Sequence, residues 1–133
     1  MSTATRTYRA VKVDPARLDT GLPFESGRAA DHRVTYAQID TGNLMACGAR
    51  DFVHDDRTGA FYFRVGPGGQ TLRKVFVRLM ADDTYSVEYG YSPMTRKAMA
   101  DDTWGRWHPV ERVDHVYAES LGAVVRRLGD RES

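Results

Sequence analysis

The fold is decided between Ala60 and Tyr91, where the sequence reads AFYFRVGPGGQTLRKVFVRLMADDTYSVEYGY. Three apolar runs in this stretch alternate with a period of two, and a Gly/Pro loop and the short link Ala81-Asp82-Asp83 separate them. Period-two alternation between turn residues is typical of neighbouring β-strands. The stretch therefore predicts an antiparallel meander.

A helix is predicted before the meander, from Thr35 to Met45. Thr35 is a suitable N-cap residue, and Gln38 follows it at the spacing of a capping box. Gly42 is expected to end this helix early, because glycine disfavours a helix interior and favours the position just after the last turn.

A second helix is predicted near the end of the chain, from Val116 to Leu128, with Asp114 as its N-cap and Gly129 as the residue that follows it. An apolar stripe with helical spacing marks the side that packs on the sheet: Val113, Tyr117, Leu121, Val124 and Leu128.

These elements place the chain in the α+β class. We expect an antiparallel sheet of about four or five strands, with short strands at 50–54 and 108–113 beside the meander, packed on one face by the two helices. The polar segment 92–105 is expected to be irregular. The 133 residues suggest one domain, in which 1–34 form a strand and loop extension, 35–129 the α+β domain and 130–133 a frayed tail.

The composition excludes several classes of protein. The formal net charge is +1, so any site for an anionic partner must come from local clustering of cations. No apolar run approaches the roughly 18 residues of a membrane span, and no signal peptide is recognisable, so we expect no membrane partner. Cys47 is the only cysteine, which makes an intrachain disulfide impossible and a cytoplasmic location the expectation.

Alternation sorts the meander into two faces. The first face is apolar or aromatic throughout and is predicted to meet the helices: Phe61, Phe63, Val65, Val75, Val77, Leu79, Tyr85, Val87 and Tyr89. The second face mixes bases with aromatic and polar residues: Tyr62, Arg64, Lys74, Phe76, Arg78, Met80, Thr84, Ser86 and Glu88.

Five residues of the second face form the candidate binding site: Tyr62, Arg64, Lys74, Phe76 and Arg78. Exposed rings stack bases, at roughly 1–3 kcal/mol per base, while cations contact phosphates, so the site suits single-stranded nucleic acid. The same residue types are enriched in protein interfaces, where the partner would be a host protein or a second copy in a homodimer. A third interpretation is a solvated surface on which Arg and Lys stems cover the rings. These three interpretations stay open.

Candidate catalytic residues are few. His54-Asp55-Asp56 has the residue types of a hard-metal site or an acid–base pair, so a small metal-dependent hydrolase or nuclease-like enzyme is the alternative function. A hairpin turn explains the same residues, because Asp is common in turns. Cys47 lies in an apolar setting, where thiols are usually inert. We expect no cofactor and no bound metal, and we favour a protein that is not an enzyme.

Three motifs occur in a recognisable order. They are Gly42-Asn43 with Gly48-Ala49 and Phe52, then Asp83-Thr84-Tyr85-Ser86-Val87-Glu88, then Val116-Tyr117-Ala118-Glu119-Ser120-Leu121. As a set they resemble a family of small, uncharacterised proteins of bacteriophages and integrative mobile elements. The chain departs from that family in having Thr41 before Gly42-Asn43, where the family has a glycine.

The resemblance implies a helix, an antiparallel sheet and a closing helix, in a cytoplasmic accessory protein of a bacterial host. It carries over no catalytic residues. Together with the residues of the second face, it leads us to expect a non-enzymatic accessory protein that binds a host protein or nucleic acid.

Overall fold

The computed structural model of the protein describes residues 11–12, 28–55, 59–67, 71–101 and 107–130. At its centre is a six-stranded sheet whose strands lie side by side in sequence order. The strands are β1 (Val11–Lys12), β2 (Arg50–Asp55), β3 (Ala60–Val65), β4 (Thr71–Leu79), β5 (Tyr85–Pro93) and β6 (His108–Val116). β1 pairs with β2 in parallel, and all the other neighbours are antiparallel. The predicted meander and the α+β class are both confirmed.

The helices in the described ranges are α1 (His32–Ile39), α2 (Thr41–Ala46), α3 (Arg96–Ala100) and α4 (Ala118–Gly129). α4 contacts α1 and α2 as well as β4, β5 and β6. None of the described helices is long and apolar enough to cross a membrane.

The first face of the meander forms the core together with these helices, as predicted. Its residues from β3, β4 and β5 are buried, except that Leu79 is only partly buried against the same cluster. The helices contribute fully buried aliphatic side chains to this cluster: Ile39, Leu44, Leu121, Val125 and Leu128. Removal of this apolar surface from water is the main stabilising contribution to the fold.

Gly122 allows α4 to approach α1 and α2 closely. A Cβ at this position would lie 2.3 Å from Asn43 Nδ2 and 2.5 Å from the carbonyl oxygen of Ile39. The Asn43 amide is itself held in place, because its Nδ2 donates to the Ile39 carbonyl at 2.8 Å. A side chain at position 122 would therefore push the helices apart.

The first helix begins and ends differently from the prediction. Its N-cap is Asp31, whose carboxylate accepts a hydrogen bond from the Arg33 N–H at 2.9 Å, whereas Thr35 lies inside the helix and is buried. The capping-box prediction was wrong because this carboxylate caps the helix four residues earlier. Asp40, with φ 80°, ends α1, and Gly42 lies inside the short helix α2 that follows.

The last helix begins later than predicted. Asp114 is not its N-cap, because β6 continues beyond it and Tyr117 is the N-cap. The Asp114 carboxylate instead accepts hydrogen bonds from Ser86 Oγ at 2.7 Å and Arg112 Nε at 2.8 Å. Gly129 is the last residue of the helix and does not follow it.

The segment predicted to be irregular is partly regular. β5 extends to Pro93, and α3 follows with Thr95 as its N-cap, whose Oγ accepts from the Ala98 N–H at 3.0 Å. Several predictions fall wholly or partly outside the described residues: most of the 1–34 extension, the turn at 56–58, the loop at 68–70, residues 102–106 and the tail after 130.

Candidate functional site

The centre of the second face is buried. Tyr62, Phe76 and Arg78 are 8%, 2% and 1% exposed, and the first two rings contact each other with their centroids 4.4 Å apart. Burial also raises the pKa of Tyr62. The expectation that the Tyr62 and Phe76 rings are exposed was therefore wrong, and they offer no open stacking surface in this conformation.

Trp107 is one of the residues that cover this centre. Its ring meets Phe76 edge-on, with centroids 4.6 Å apart, and its Nε1 donates to Glu88 Oε2 at 2.5 Å. Gly90 makes room for it, because a Cβ there would lie 2.6 Å from Trp107 Cζ2. Alternation within the meander gives no signal that a residue so far along the chain packs on this face.

Two of the predicted site residues stay accessible at one end of the sheet. Arg64 and Lys74 are directly opposite each other on β3 and β4, and Arg50 on β2 is opposite Arg64. Residues paired across an antiparallel ladder share a face. Arg50, Arg64 and Lys74 therefore form a line of three cations across neighbouring strands, which we call the cation row.

Arg50 was not predicted from the sequence to belong to the candidate site. Its membership in the row depends on the register of β2 against β3, and that register shifts by one residue at a β-bulge between Arg50 and Val53. Strand alternation alone does not show where a bulge falls, so the sequence contained no usable signal for this residue.

The bulge also supplies the carboxylate that faces the row. Asp51 has φ 56°, a left-handed conformation that Asp adopts more readily than most residues. Its Oδ2 accepts a hydrogen bond from Arg64 Nη1 at 3.1 Å. The Arg64 side chain remains 28% exposed, so the ion pair is reached by solvent.

Among the remaining donors of the row in the described part of the chain, Arg50 Nη1 donates to the Gly48 carbonyl oxygen at 3.1 Å. Arg64 Nε is buried there without a hydrogen-bond partner. Lys74 Nζ lies 5.3 Å from the centre of the Tyr62 ring, a cation–π distance. Burial, together with the neighbouring charge of Arg64, lowers the pKa of Lys74. Like charges that face each other in a sheet are destabilising, and an anion would relieve that repulsion.

The opposite end of the sheet carries a cleft of about 330 Å³ beside the β4–β5 turn, which we call the turn cleft. Asp82 accepts from both the N–H and the hydroxyl of Thr84, at 3.0 and 2.6 Å, and its other oxygen lies 3.3 Å from His115 Nδ1. Asp114 is held by Ser86 and Arg112 as described above. These bonds tie the turn to β6, so we assign the cleft a structural role.

His54 lies apart from the cation row and from the turn cleft. Its ring stacks on His32, with centroids 3.6 Å apart and planes inclined by 19°. Asp56 and the side chain of Asp55 lie outside the described residues. Among the residues that the structure describes, no three His, Cys, Asp or Glu side chains come together in a way that suits a metal ion.

Cys47 is buried, and burial raises the pKa of its thiol to about 11. The thiol is therefore protonated near neutral pH, which makes it a poor nucleophile.

A scan against protein-family models finds no match for the chain, and searches of the curated proteins and of the solved structures find no significant similarity.

Proposed function

We propose that this protein binds nucleic acid and that the cation row contacts its phosphates. The observation that carries the proposal is the register of Arg50, Arg64 and Lys74, which aligns three cations on adjacent strands with Asp51 as the carboxylate hydrogen-bonded to the row. Strands lie about 5 Å apart, so the row extends over roughly 10 Å and can follow more than one phosphate.

The electrostatics of Lys74 support an anionic ligand. Its ammonium group is half-buried beside Arg64, and both effects disfavour its charged form. A phosphate placed between the two side chains reverses the sign of the local interaction and accepts hydrogen bonds from the part of the Arg64 guanidinium that solvent reaches. The binding free energy then includes the repulsion that is relieved.

The buried centre of the second face supports the same proposal in a different way. Tyr62 is held by Phe76, which in turn contacts Trp107. The Lys74 ammonium lies against this packed cluster through the Tyr62 ring. Side chains that are ordered before binding lose less entropy when they meet a ligand.

The test is fluorescence anisotropy of a labelled oligothymidine at several salt concentrations. Removal of one cation that neutralises a phosphate of a single strand lowers the slope of log K against log salt by about 0.7. We therefore expect Lys74→Gln and Arg50→Gln each to weaken binding and to reduce the slope by about that amount.

Arg28→Gln is the matched control, because Arg28 is an exposed cation at the other end of the sheet, where it pairs with Asp83. This variant should bind like the wild type. Unchanged slopes in the row variants, or an equal weakening in Arg28→Gln, would contradict the proposal. Binding of an acidic protein surface in place of the oligonucleotide would assign the row to a protein partner.

The motif resemblance suggests the biological setting of this activity. We propose an accessory protein of a bacteriophage or an integrative mobile element, acting on nucleic acid in a bacterial host without catalysis.

A further inference from the structure

Tyr91 is an exception within β5. The residues of this strand from 85 to 92 are buried on both faces, apart from Tyr91, which is 37% exposed. The residues that precede it on the same face, Val87 and Tyr89, are 0% and 2% exposed. Core packing explains those two side chains and leaves an accessible aromatic ring at position 91.

The ring of Tyr91 is held in a defined orientation. Tyr91 is opposite His108, the first residue of β6, and the two rings stack with centroids 5.0 Å apart and planes inclined by 13°. A nearly parallel stack presents a flat aromatic surface at the end of the sheet.

A cation accompanies this stack. Arg73 on β4 is directly opposite Tyr91, on the side away from His108. Arg73 also precedes Lys74, and consecutive residues of a strand point to opposite faces. The stack and Arg73 therefore lie on the helix-bearing face of the same sheet end at which the cation row lies on the second face.

We infer that the Tyr91–His108 stack binds an unpaired nucleobase and gives the protein a preference for single strands. The inference rests on the proposed function, since it adds a base contact on the helix-bearing face to a strand that passes around the sheet end and whose phosphates contact the cation row on the second face. Bases in a duplex are already stacked on both faces, whereas a single strand can place a base against an exposed ring at little cost. Arg73 is placed to contact the phosphate next to that base.

The experiment compares three labelled ligands of about 12 nucleotides, a length within the usual range for single-strand sites. They are oligothymidine, an abasic strand with the same phosphates, and a duplex. We expect the wild type to bind oligothymidine about tenfold more tightly than the abasic strand. Tyr91→Leu should lose this preference and keep the salt-dependent binding to all three ligands, while Tyr91→Phe should retain it.

Tyr117→Leu is the matched control, because Tyr117 is an exposed tyrosine, 62% exposed, at the start of α4. It should behave like the wild type. Equal affinity of the wild type for oligothymidine and the abasic strand, or a preference that survives in Tyr91→Leu, would overturn the inference while leaving the phosphate contacts intact. Absence of binding to all three ligands would instead overturn the proposed function, and the inference with it.

Discussion

Arg64 and Lys74 face each other across β3 and β4, so two cations share one position of the ladder with the Asp51 carboxylate hydrogen-bonded to one of them. Folding alone does not favour this arrangement, because directly opposed like charges weaken a sheet. A pair of this kind is expected where a binding surface is maintained at some expense of stability.

Replacement of Lys74 by methionine tests whether the paired cations lower stability while they favour binding. The substitution keeps an unbranched stem against Tyr62 and removes the half-buried charge, so we expect the free energy of unfolding at neutral pH to rise by about 0.5 kcal/mol. Urea denaturation measures the change. The same variant should bind oligonucleotide more weakly, and a variant that loses both stability and binding would show that the Lys74 ammonium contributes to folding.

The proton affinity of Lys74 should respond to its neighbour. Burial and the Arg64 charge both lower its pKa from 10.5, so Arg64→Gln is expected to raise it, as measured by NMR of the lysine side chain. Because the folded-state pKa lies below the unfolded value, the unfolded chain takes up this proton first as the pH falls. Stability should therefore decrease as the pH falls through the window just below 10.5, and this dependence should be absent in Lys74→Met.

Cys47 should resist alkylation in the folded protein. Burial raises the pKa of its thiol from 9.0 to about 11, so we expect iodoacetamide at about pH 8 to label it only after unfolding in urea. The raised pKa of Cys47 also makes the stability of the folded protein depend on pH. The contribution of the protonated thiol to stability is full below pH 9.0 and is lost as the pH rises towards 11, and Cys47→Ala should remove that loss. Rapid labelling of the native protein would contradict the burial of Cys47.

Two glycines form a matched pair for testing the helix packing. Gly122→Ala should destabilise the protein by about 1–3 kcal/mol, because the new Cβ would overlap Asn43 and the Ile39 backbone. Gly42→Ala, at an exposed position of α2, meets no atom within 4 Å and should stabilise by about 0.5–1 kcal/mol. Thermal denaturation of both variants gives the comparison, and similar shifts in the two would mean that α4 does not pack closely against α1 and α2.

The meander was predictable because its signals are local. Alternation, turn residues and the apolar first face all lie within Ala60–Tyr91, and each strand pairs with the next one along the chain. The first residues of the helices were harder to predict from the sequence. A carboxylate at Asp31 takes the cap that Thr35 was expected to form, and Asp114 lies within β6, where it accepts hydrogen bonds from Ser86 on β5 and Arg112 on β6.

The candidate site was predictable only in part. Arg64 and Lys74 were placed on the correct face from alternation, which needs no long-range information. The burial of Phe76 under Trp107 and the addition of Arg50 to the row depend on contacts and register between distant segments. Neither feature can be predicted from the local pattern of residues.

β6 is the outermost strand on its side of the described sheet, and its pairing with β5 is irregular. Pro109 lacks an N–H, Val110 is an extra residue opposite the Tyr89–Gly90 step, and His115 has φ 57° at a second bulge. An edge of this kind is a poor template for another strand. We therefore expect no strand-to-strand self-pairing through this edge of the described sheet at high concentration.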